Sequence, residues 1–165
     1  MKKRNFVLIL LVCITGVIVW NLSTSYATNE VETVNVDIIK VENEKLEEDA
    51  ELINQISINN TTFNFSVLLP TKESKLEFEL LVTNSGNKEA ELVGIEKIGM
   101  SNDLLEYIDY SIVPLNAYLK TDKDNGSMLI NNDVHRFKVT VNYSESATSN
   151  NIQDTLSLGG IINYK

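Results

Sequence analysis

Apolar and polar residues alternate along most of the chain beyond residue 30. A period of two is the signature of a β-strand that buries one face and exposes the other to water. Val34, Val36 and Ile38, for example, are separated by Asn35 and Asp37. Runs of the same kind cover residues 63–69, 76–82, 108–112, 137–143 and 156–164. The pattern therefore predicts a chain made largely of short strands.

Turn residues separate these runs. Residues 84–87 read Asn-Ser-Gly-Asn, and residues 124–126 read Asp-Asn-Gly. Both stretches favour tight turns, because Asn and Gly tolerate a positive φ. Pro70 and Pro114 end two runs, since proline cannot donate an N–H to a sheet. Gly160 lies on the apolar parity of the last run, which predicts a bulge or a close backbone approach there.

The number and spacing of the strands indicate a fold class. About seven to eight short strands within about 110 residues predict an all-β, antiparallel immunoglobulin-like β-sandwich. The predicted sandwich covers residues 56–165. This region lacks the two cysteines and the tryptophan of antibody domains, so it is expected to resemble them in architecture only. The predicted core consists of the inward-facing residues Phe63, Phe65, Leu76, Phe78, Leu80, Val82, Phe137, Val139, Val141, Leu156 and Leu158.

The segment before this region has two parts. Residues 28–42 alternate like a strand, whereas residues 42–55 are acidic, with apolar residues spaced by four and three. That spacing predicts either a short amphipathic helix or a mobile linker. The strand-like part has two candidate partners, an edge of its own sheet or a neighbouring molecule; the second would propagate an assembly. The sequence thus predicts an N-terminal strand and acidic linker over 28–55, followed by the sandwich domain.

The first 27 residues resemble an export signal. Residues 2–4 are basic, and residues 6–20 are almost wholly apolar. Residues 25–27 read Ser-Tyr-Ala, with small residues three and one places before a cut, so the sequence predicts a signal peptide cleaved after Ala27. The alternative is a retained single-pass membrane anchor over residues 5–20, although a spanning helix needs about 20 apolar residues.

Charge and composition exclude several classes of function. The 165 residues carry 14 basic and 23 acidic side chains, a formal charge of −9, which argues against nucleic-acid binding. One cysteine and one histidine exclude an intramolecular disulfide, a cysteine metal cage and a multi-histidine site. Cleavage after Ala27 would leave 138 residues with 11 basic and 23 acidic side chains, a charge of −12, and no cysteine. Such a chain suits export from a Gram-positive bacterium, where folding does not depend on disulfides.

His135 is the first residue to weigh as a catalyst, since the chain has no other histidine. A catalytic histidine needs a nucleophile and an orienting acid beside it, and nothing in the sequence marks such a set. The sequence therefore predicts an exposed residue at the beginning of a strand, next to Arg136.

Two acidic stretches could in principle bind a metal or catalyse a reaction. Residues 122–126, Asp-Lys-Asp-Asn-Gly, have their glycine one place too early for an EF-hand, and Asp133 stands where that loop has Glu. A hairpin turn is expected, with calcium binding of another geometry left open. The densest acidic cluster is expected to be a solvated surface without catalysis: Glu44, Glu47, Glu48, Asp49 and Glu51. No catalytic residue, metal ligand or cofactor is predicted.

One stretch resembles a known family. Residues 62–95 read TFNFSVLLPTKESKLEFELLVTNSGNKEAELVGI, an alternating strand that ends in Val-x-Asn-x-Gly and is followed by an Ala-x-Leu strand. With the late strands HRFKVTVNY and LSLGGIINYK, this is similar to small exported surface proteins of Gram-positive bacteria, including the TasA and camelysin group. The group is said to contain metalloproteases, but the chain has no His-Glu-x-x-His.

These observations predict a location and a type of role. The protein is expected to be secreted or attached to the cell envelope, and to be a non-catalytic structural or interaction protein. Its partner would be another protein or a further copy assembling through the N-terminal strand, and membrane contact would involve only a retained leader. The alternative is a surface binding module for a small ligand, Ca2+ or carbohydrate.

Overall fold

The computed structural model describes residues 31–115, 128–148 and 155–165, and the described residues from Thr33 onward belong to one compact unit. The predicted signal peptide, the anchor alternative and the loop at 122–126 lie outside the described residues. The described elements are β1 (Val36–Glu47), β2 (Glu51–Asn59), β3 (Thr62–Leu68), β4 (Lys75–Asn84), β5 (Ala90–Ile98), α1 (Asn102–Leu105), β6 (Ile108–Pro114), β7 (Met128–Leu129), β8 (Val134–Tyr143) and β9 (Leu156–Tyr164).

The strands form two sheets. The first sheet has the order β1-β4-β8-β6, and the second has the order β2-β3-β9-β5-β7. Neighbouring strands are antiparallel in both sheets. The all-β, antiparallel prediction is therefore confirmed. The short helix α1 is capped by Ser101, whose side chain accepts a hydrogen bond from the Leu104 amide at 3.3 Å.

Apolar side chains from both sheets meet in one core. Phe78 of β4 makes edge-to-face contacts with Phe63 and Phe65 of β3, at centroid separations of 6.0 and 5.3 Å. Burial of a phenylalanine contributes roughly 1.5–3 kcal/mol, so these rings stabilise the sandwich of the two sheets. Gly160 packs against this part of the core. A side chain would not fit there, because a Cβ would come within 2.7 Å of Ile112 and 2.9 Å of Phe63. Every residue of the predicted core is buried.

The acidic stretch 42–55 is neither a helix nor a linker, so that prediction is wrong. It contains the end of β1, a turn and the first half of β2. Glu48 and Asp49 form the turn, with φ values of 51° and 61°. Register shifts in both strands break the two-residue period, which is why the alternation is hidden in the sequence. The chain passes here from the first sheet to the second.

The predicted N-terminal strand is β1. It pairs with β4 of the same chain from Val36, opposite Asn84, to Glu47, opposite Lys75. Of the two predicted pairing partners, the structure contains the first, a strand of its own sheet.

Candidate functional site

The longest uncharged stretch of the described strands is the β2–β3 hairpin. Residues 52–71, from the residue after Glu51 to the residue before Lys72, contain no Asp, Glu, Lys or Arg. We call residues 52–71 the neutral hairpin. The chain reverses at Asn60, whose φ of 54° suits an asparagine in the left-handed region. This stretch stands out because 22% of the whole chain is charged.

The register of the neutral hairpin separates its apolar residues from its polar ones. Ile58 is opposite Phe63, and Phe63 is fully buried. Asn54 is opposite Ser66. The Ser66 hydroxyl is 3.2 Å from that of Ser157 on β9, so the polar row continues onto the next strand. The outer side of β2, β3 and the adjoining part of β9 therefore presents amides and hydroxyls.

A depression lies in this polar surface. It is open to solvent and has a volume of about 350 Å³. The floor includes Phe65 and Leu158, which are otherwise core residues, and Ile98 forms part of the wall. Most of the exposed lining is apolar, and the amides and hydroxyls among its residues can each donate and accept hydrogen bonds, so the depression suits an uncharged ligand with both apolar and polar groups. The rim residues are Asn54, Gln55, Ser57, Asn64, Ser66 and Ser157.

The outer side of the first sheet has the opposite character. Glu77 is bonded to Lys75 at 2.6 Å and to Lys138 at 2.9 Å, and Arg136 lies 3.2 Å from Glu42 and 3.4 Å from Glu79. The hydrogen bond from Lys75, then that from Lys138, lowers the pKa of the Glu77 carboxyl below its ordinary value. We call this the charged face: Lys40, Glu42, Lys45, Glu47, Lys75, Glu77, Glu79, Arg136 and Lys138.

The strand β2 is also a sheet edge. Among the described residues its ladder partner is β3, on one side. Ile53 lies at a register shift and keeps 45% of its surface exposed. Exposed edges offer backbone N–H and C=O groups to another strand. The neutral hairpin thus combines an uncharged face with a sheet edge that has two register shifts.

His135 is buried, with 1% of its surface exposed, so the prediction of an exposed residue is wrong. It shares the parity of Phe137, a signal that was present in the sequence. Its Nδ1 lies 2.7 Å from the Tyr164 hydroxyl, which joins the two sheets. Burial lowers the pKa of His135, while a hydrogen bond that the ring donates to the Met128 backbone and the charge of Asp133 oppose the shift. The imidazole therefore serves as a structural contact.

The motif behind the family resemblance holds the N-terminal segment in place. The buried Asn84 side chain accepts bonds from the amides of Asn35 and Gly86, and donates to the carbonyls of Lys88 and Leu129. A Cβ at Gly86 would come within 2.1 Å of the Thr33 carbonyl oxygen, so glycine is needed there. The residues Asn84 and Gly86 thus have a structural reason to be in this motif.

The acidic cluster that begins at Glu44 lies on β1, the 48–49 turn and the start of β2, at the surface. Glu47 is paired with Lys45, which lowers the pKa of its carboxyl. Within 31–115, 128–148 and 155–165, no group of three His, Cys, Asp or Glu side chains is placed to hold a metal ion. None of the helices in this part of the chain has the length and apolar character needed to cross a membrane.

No family model, curated protein or solved structure matches the chain. The resemblance to the TasA and camelysin group therefore stays a prediction. The neutral hairpin contains no catalytic or metal-binding motif and was therefore not predicted as a site, although its lack of charge is visible in the sequence. Its place at a sheet edge and its outward polar row depend on strand order and register.

Proposed function

We propose that the protein is an exported, non-catalytic interaction protein of the Gram-positive cell surface, with an immunoglobulin-like sandwich as its scaffold. The observation that carries this proposal is the contrast between the neutral hairpin and the rest of the acidic chain. Docking onto charged residues removes water from them at a cost, whereas amides and hydroxyls exchange hydrogen bonds with water for hydrogen bonds with a partner. The neutral hairpin is the surface where a partner meets the smallest such cost.

The test is binding of the exported protein, taken from culture fluid, to envelopes of the producing cells. Asn54→Glu with Ser66→Glu places two charges on a cross-strand pair of the neutral hairpin. The matched control, Ser111→Glu with Thr140→Glu, does the same on a cross-strand pair of the first sheet. We expect the first variant to weaken binding about tenfold or more, equivalent to about 1.4 kcal/mol, and the control to bind like the parent. Absence of saturable binding by the parent, or equal binding by both variants, would overturn the proposal.

The predicted location needs its own measurement. N-terminal sequencing of the protein from culture fluid and from membranes will show whether the chain begins after Ala27. A mature end at Thr28 supports export with cleavage, and an intact Met1 in the membrane fraction overturns it in favour of the anchor over residues 5–20.

Assembly through the N-terminal strand belongs to the same proposal. Because β1 already pairs with β4, such an assembly requires β1 to leave its own chain and pair with the next one. Deletion of residues 28–42 should then abolish fibres seen by electron microscopy of the parent. If the parent stays monomeric at high concentration, this route is refuted.

A second candidate function is binding of an uncharged carbohydrate. The observation that favours it is the depression of about 350 Å³, with its amide and hydroxyl rim and the apolar side chain of Ile98 in its wall. Calorimetric titration with neutral polysaccharides tests it, and Asn64→Ala should reduce any affinity found. Calcium is tested by the same method; a selective ligand must also raise the melting temperature.

A further inference from the structure

The two edge strands of the first sheet, β1 and β6, differ in how firmly the core holds them. β6 is described over seven residues and buries three of them, Ile108, Tyr110 and Ile112. Of the twelve residues described in β1, Ile38 is the one that is buried. Burial of apolar side chains is the main source of local stability, so β1 should open from the sheet more readily than β6 does.

The backbone pairing of β1 is also irregular. One register shift in its ladder with β4 follows Ile38, and a second follows Glu42. Asn43 lies at the second shift and has a φ of 53°. The ladder between β4 and β8, by contrast, runs without a shift. Since a shift leaves ladder groups unpaired, the middle of β1 has a broken ladder as well as little burial.

Residues 33–35, directly before β1, make a dense set of hydrogen bonds to the loop between β4 and β5. We call these three residues the latch. The Thr33 amide donates to the Asn87 side-chain oxygen at 2.7 Å. The Ser85 amide donates to the Asn35 carbonyl at 2.8 Å, and the Asn35 side-chain amide donates to the Ser85 hydroxyl at 2.6 Å. The N-terminal end of β1 is thus held by contacts that do not depend on burial in the core.

The loop that receives the latch has its own internal support. The Asn84 side chain accepts a hydrogen bond from the Gly86 amide at 2.9 Å. It donates to the carbonyls of Lys88 and Leu129 at 2.6 and 3.1 Å. None of these three bonds involves the latch, so the loop keeps its shape when the latch is undocked.

Gly86 is the point of closest approach between the loop and the latch. A Cβ at Gly86 would come within 2.1 Å of the Thr33 carbonyl oxygen and 2.8 Å of the Asn35 amide nitrogen. The φ of Gly86 lies outside the left-handed region, so alanine there is compatible with the conformation of the loop itself. An added methyl group would therefore displace the latch and leave the loop in place.

We propose that the latch sets how often β1 opens from β4 while the rest of the sandwich stays folded. Once the latch is undocked, a broken ladder and one buried side chain hold β1. Its opening uncovers the backbone edge of β4, from Lys75 to Asn84. The inference deepens the assembly part of the proposed function and rests on it for its use, because β1 must leave its own chain in that route and the latch opposes this departure.

Amide hydrogen exchange of the purified monomer, followed strand by strand, tests the latch. In the parent, β1 should exchange faster than β6 and β8, because it opens without global unfolding. Gly86→Ala should speed exchange in β1 about tenfold or more, since several hydrogen bonds are lost, and leave β6 and β8 unchanged. Gly94→Ala is the matched control, because a Cβ there meets nothing within 4 Å, and it should leave β1 unchanged.

Three results of this experiment would overturn the proposal. The first is a parent in which β1 exchanges as slowly as β8. The second is a Gly86→Ala variant in which β1 and β8 accelerate equally, since Gly86 would then support the whole fold. The third is equal behaviour of Gly86→Ala and Gly94→Ala in β1.

A milder pair of variants keeps the test decisive if Gly86→Ala does not fold. Asn87→Ala removes the acceptor of the Thr33 amide and should speed exchange in β1 about fivefold. Glu89→Ala changes an exposed residue of the same loop and should have no such effect; equal effects would refute the latch. Electron microscopy of the same samples separates the latch from the assembly route. Faster opening of β1 without fibres supports the latch and refutes the route, whereas fibres without faster opening refute the latch alone.

Discussion

The charged face and the neutral hairpin are outer surfaces of sheets that share one core. On the charged face, Glu77 lies between Lys75 and Lys138, and the ion pairs remain in contact with water. On the neutral hairpin, Ser66 is bonded to Ser157 across strands, without charge. The inward residues of both sheets are mostly apolar, so the two sheets differ in the charge of their outward residues. Ion pairs cover the outer side of the first sheet, whereas the β2–β3 hairpin of the second sheet leaves an uncharged surface that a partner can cover.

The largest expected effect concerns the core beneath both surfaces. Phe78→Ala removes the ring that contacts Phe63 and Phe65, and should cost about 3–5 kcal/mol of the free energy of unfolding. Ser66→Ala on the neutral hairpin should change it by less than about 0.5 kcal/mol. Urea denaturation measures both. Comparable losses from the two substitutions would show that the hairpin surface is structural rather than available for binding.

The next effect separates buried amides from surface amides. Asn84→Ala leaves the amide of Gly86 and the carbonyl of Leu129 without their bonds, and should cost about 2–3 kcal/mol. Asn54→Ala, in the neutral hairpin, is exposed and should cost less than about 0.5 kcal/mol. Thermal unfolding of the two variants is the measurement. If Asn54 proves as important as Asn84, the amides of the neutral hairpin act in folding.

Acid titration of His135 provides a third test. Because burial lowers the pKa of His135 in the folded chain, the unfolded chain binds more protons near pH 6. Its contribution to stability is full above the ordinary value of 6.5 and is lost as the pH falls from there through the lowered pKa. The free energy of unfolding of the parent should therefore decrease as the pH is lowered through this window. The dependence of the free energy of unfolding on pH should be weaker in His135→Gln. Equal pH dependence in the parent and in His135→Gln would show that His135 does not cause this loss of stability.

The smallest effect belongs to the charged face. The lowered pKa of Glu77 gives stability that is present above its ordinary value of 4.5 and is lost as the pH falls through the lowered value. Because its ion pairs are largely in water, Glu77→Gln should cost less than about 1 kcal/mol at neutral pH. Denaturation at pH 7 and pH 3 measures the change. A larger cost at pH 3 than at pH 7 would contradict the sign of this effect.

The sequence predicts the regular strands and the core, but not the irregular segments between them. Phe63 and Phe137 follow the two-residue period, and both are fully buried. Asn43 has a φ of 53° within β1, where a register shift moves the following residues out of the period. No propensity rule marks Glu48 and Asp49 as a turn with two positive φ values. The Glu48 carbonyl accepts a hydrogen bond from the Ser74 hydroxyl, a contact between distant residues that no local pattern indicates.

The candidate surface is predictable only in part. Its lack of charge can be found by scanning residues 52–71, and its alternation indicates one outward face. That β2 is an edge, and that Ser66 meets Ser157 of β9, follows from the pairing of strands nearly a hundred residues apart. His135 is the reverse case: its parity with Phe137 indicates burial, but its polar character led to the prediction of an exposed residue, which is wrong.

Amide hydrogen exchange of the purified protein, alone and in the presence of cell envelopes, tests the central claim most directly. The neutral hairpin is predicted to gain protection on binding, with the slowing confined to β2, β3 and the adjoining part of β9. The charged face on β1, β4 and β8 should exchange as it does in the free protein. Protection on the charged face with none on the neutral hairpin would contradict the account.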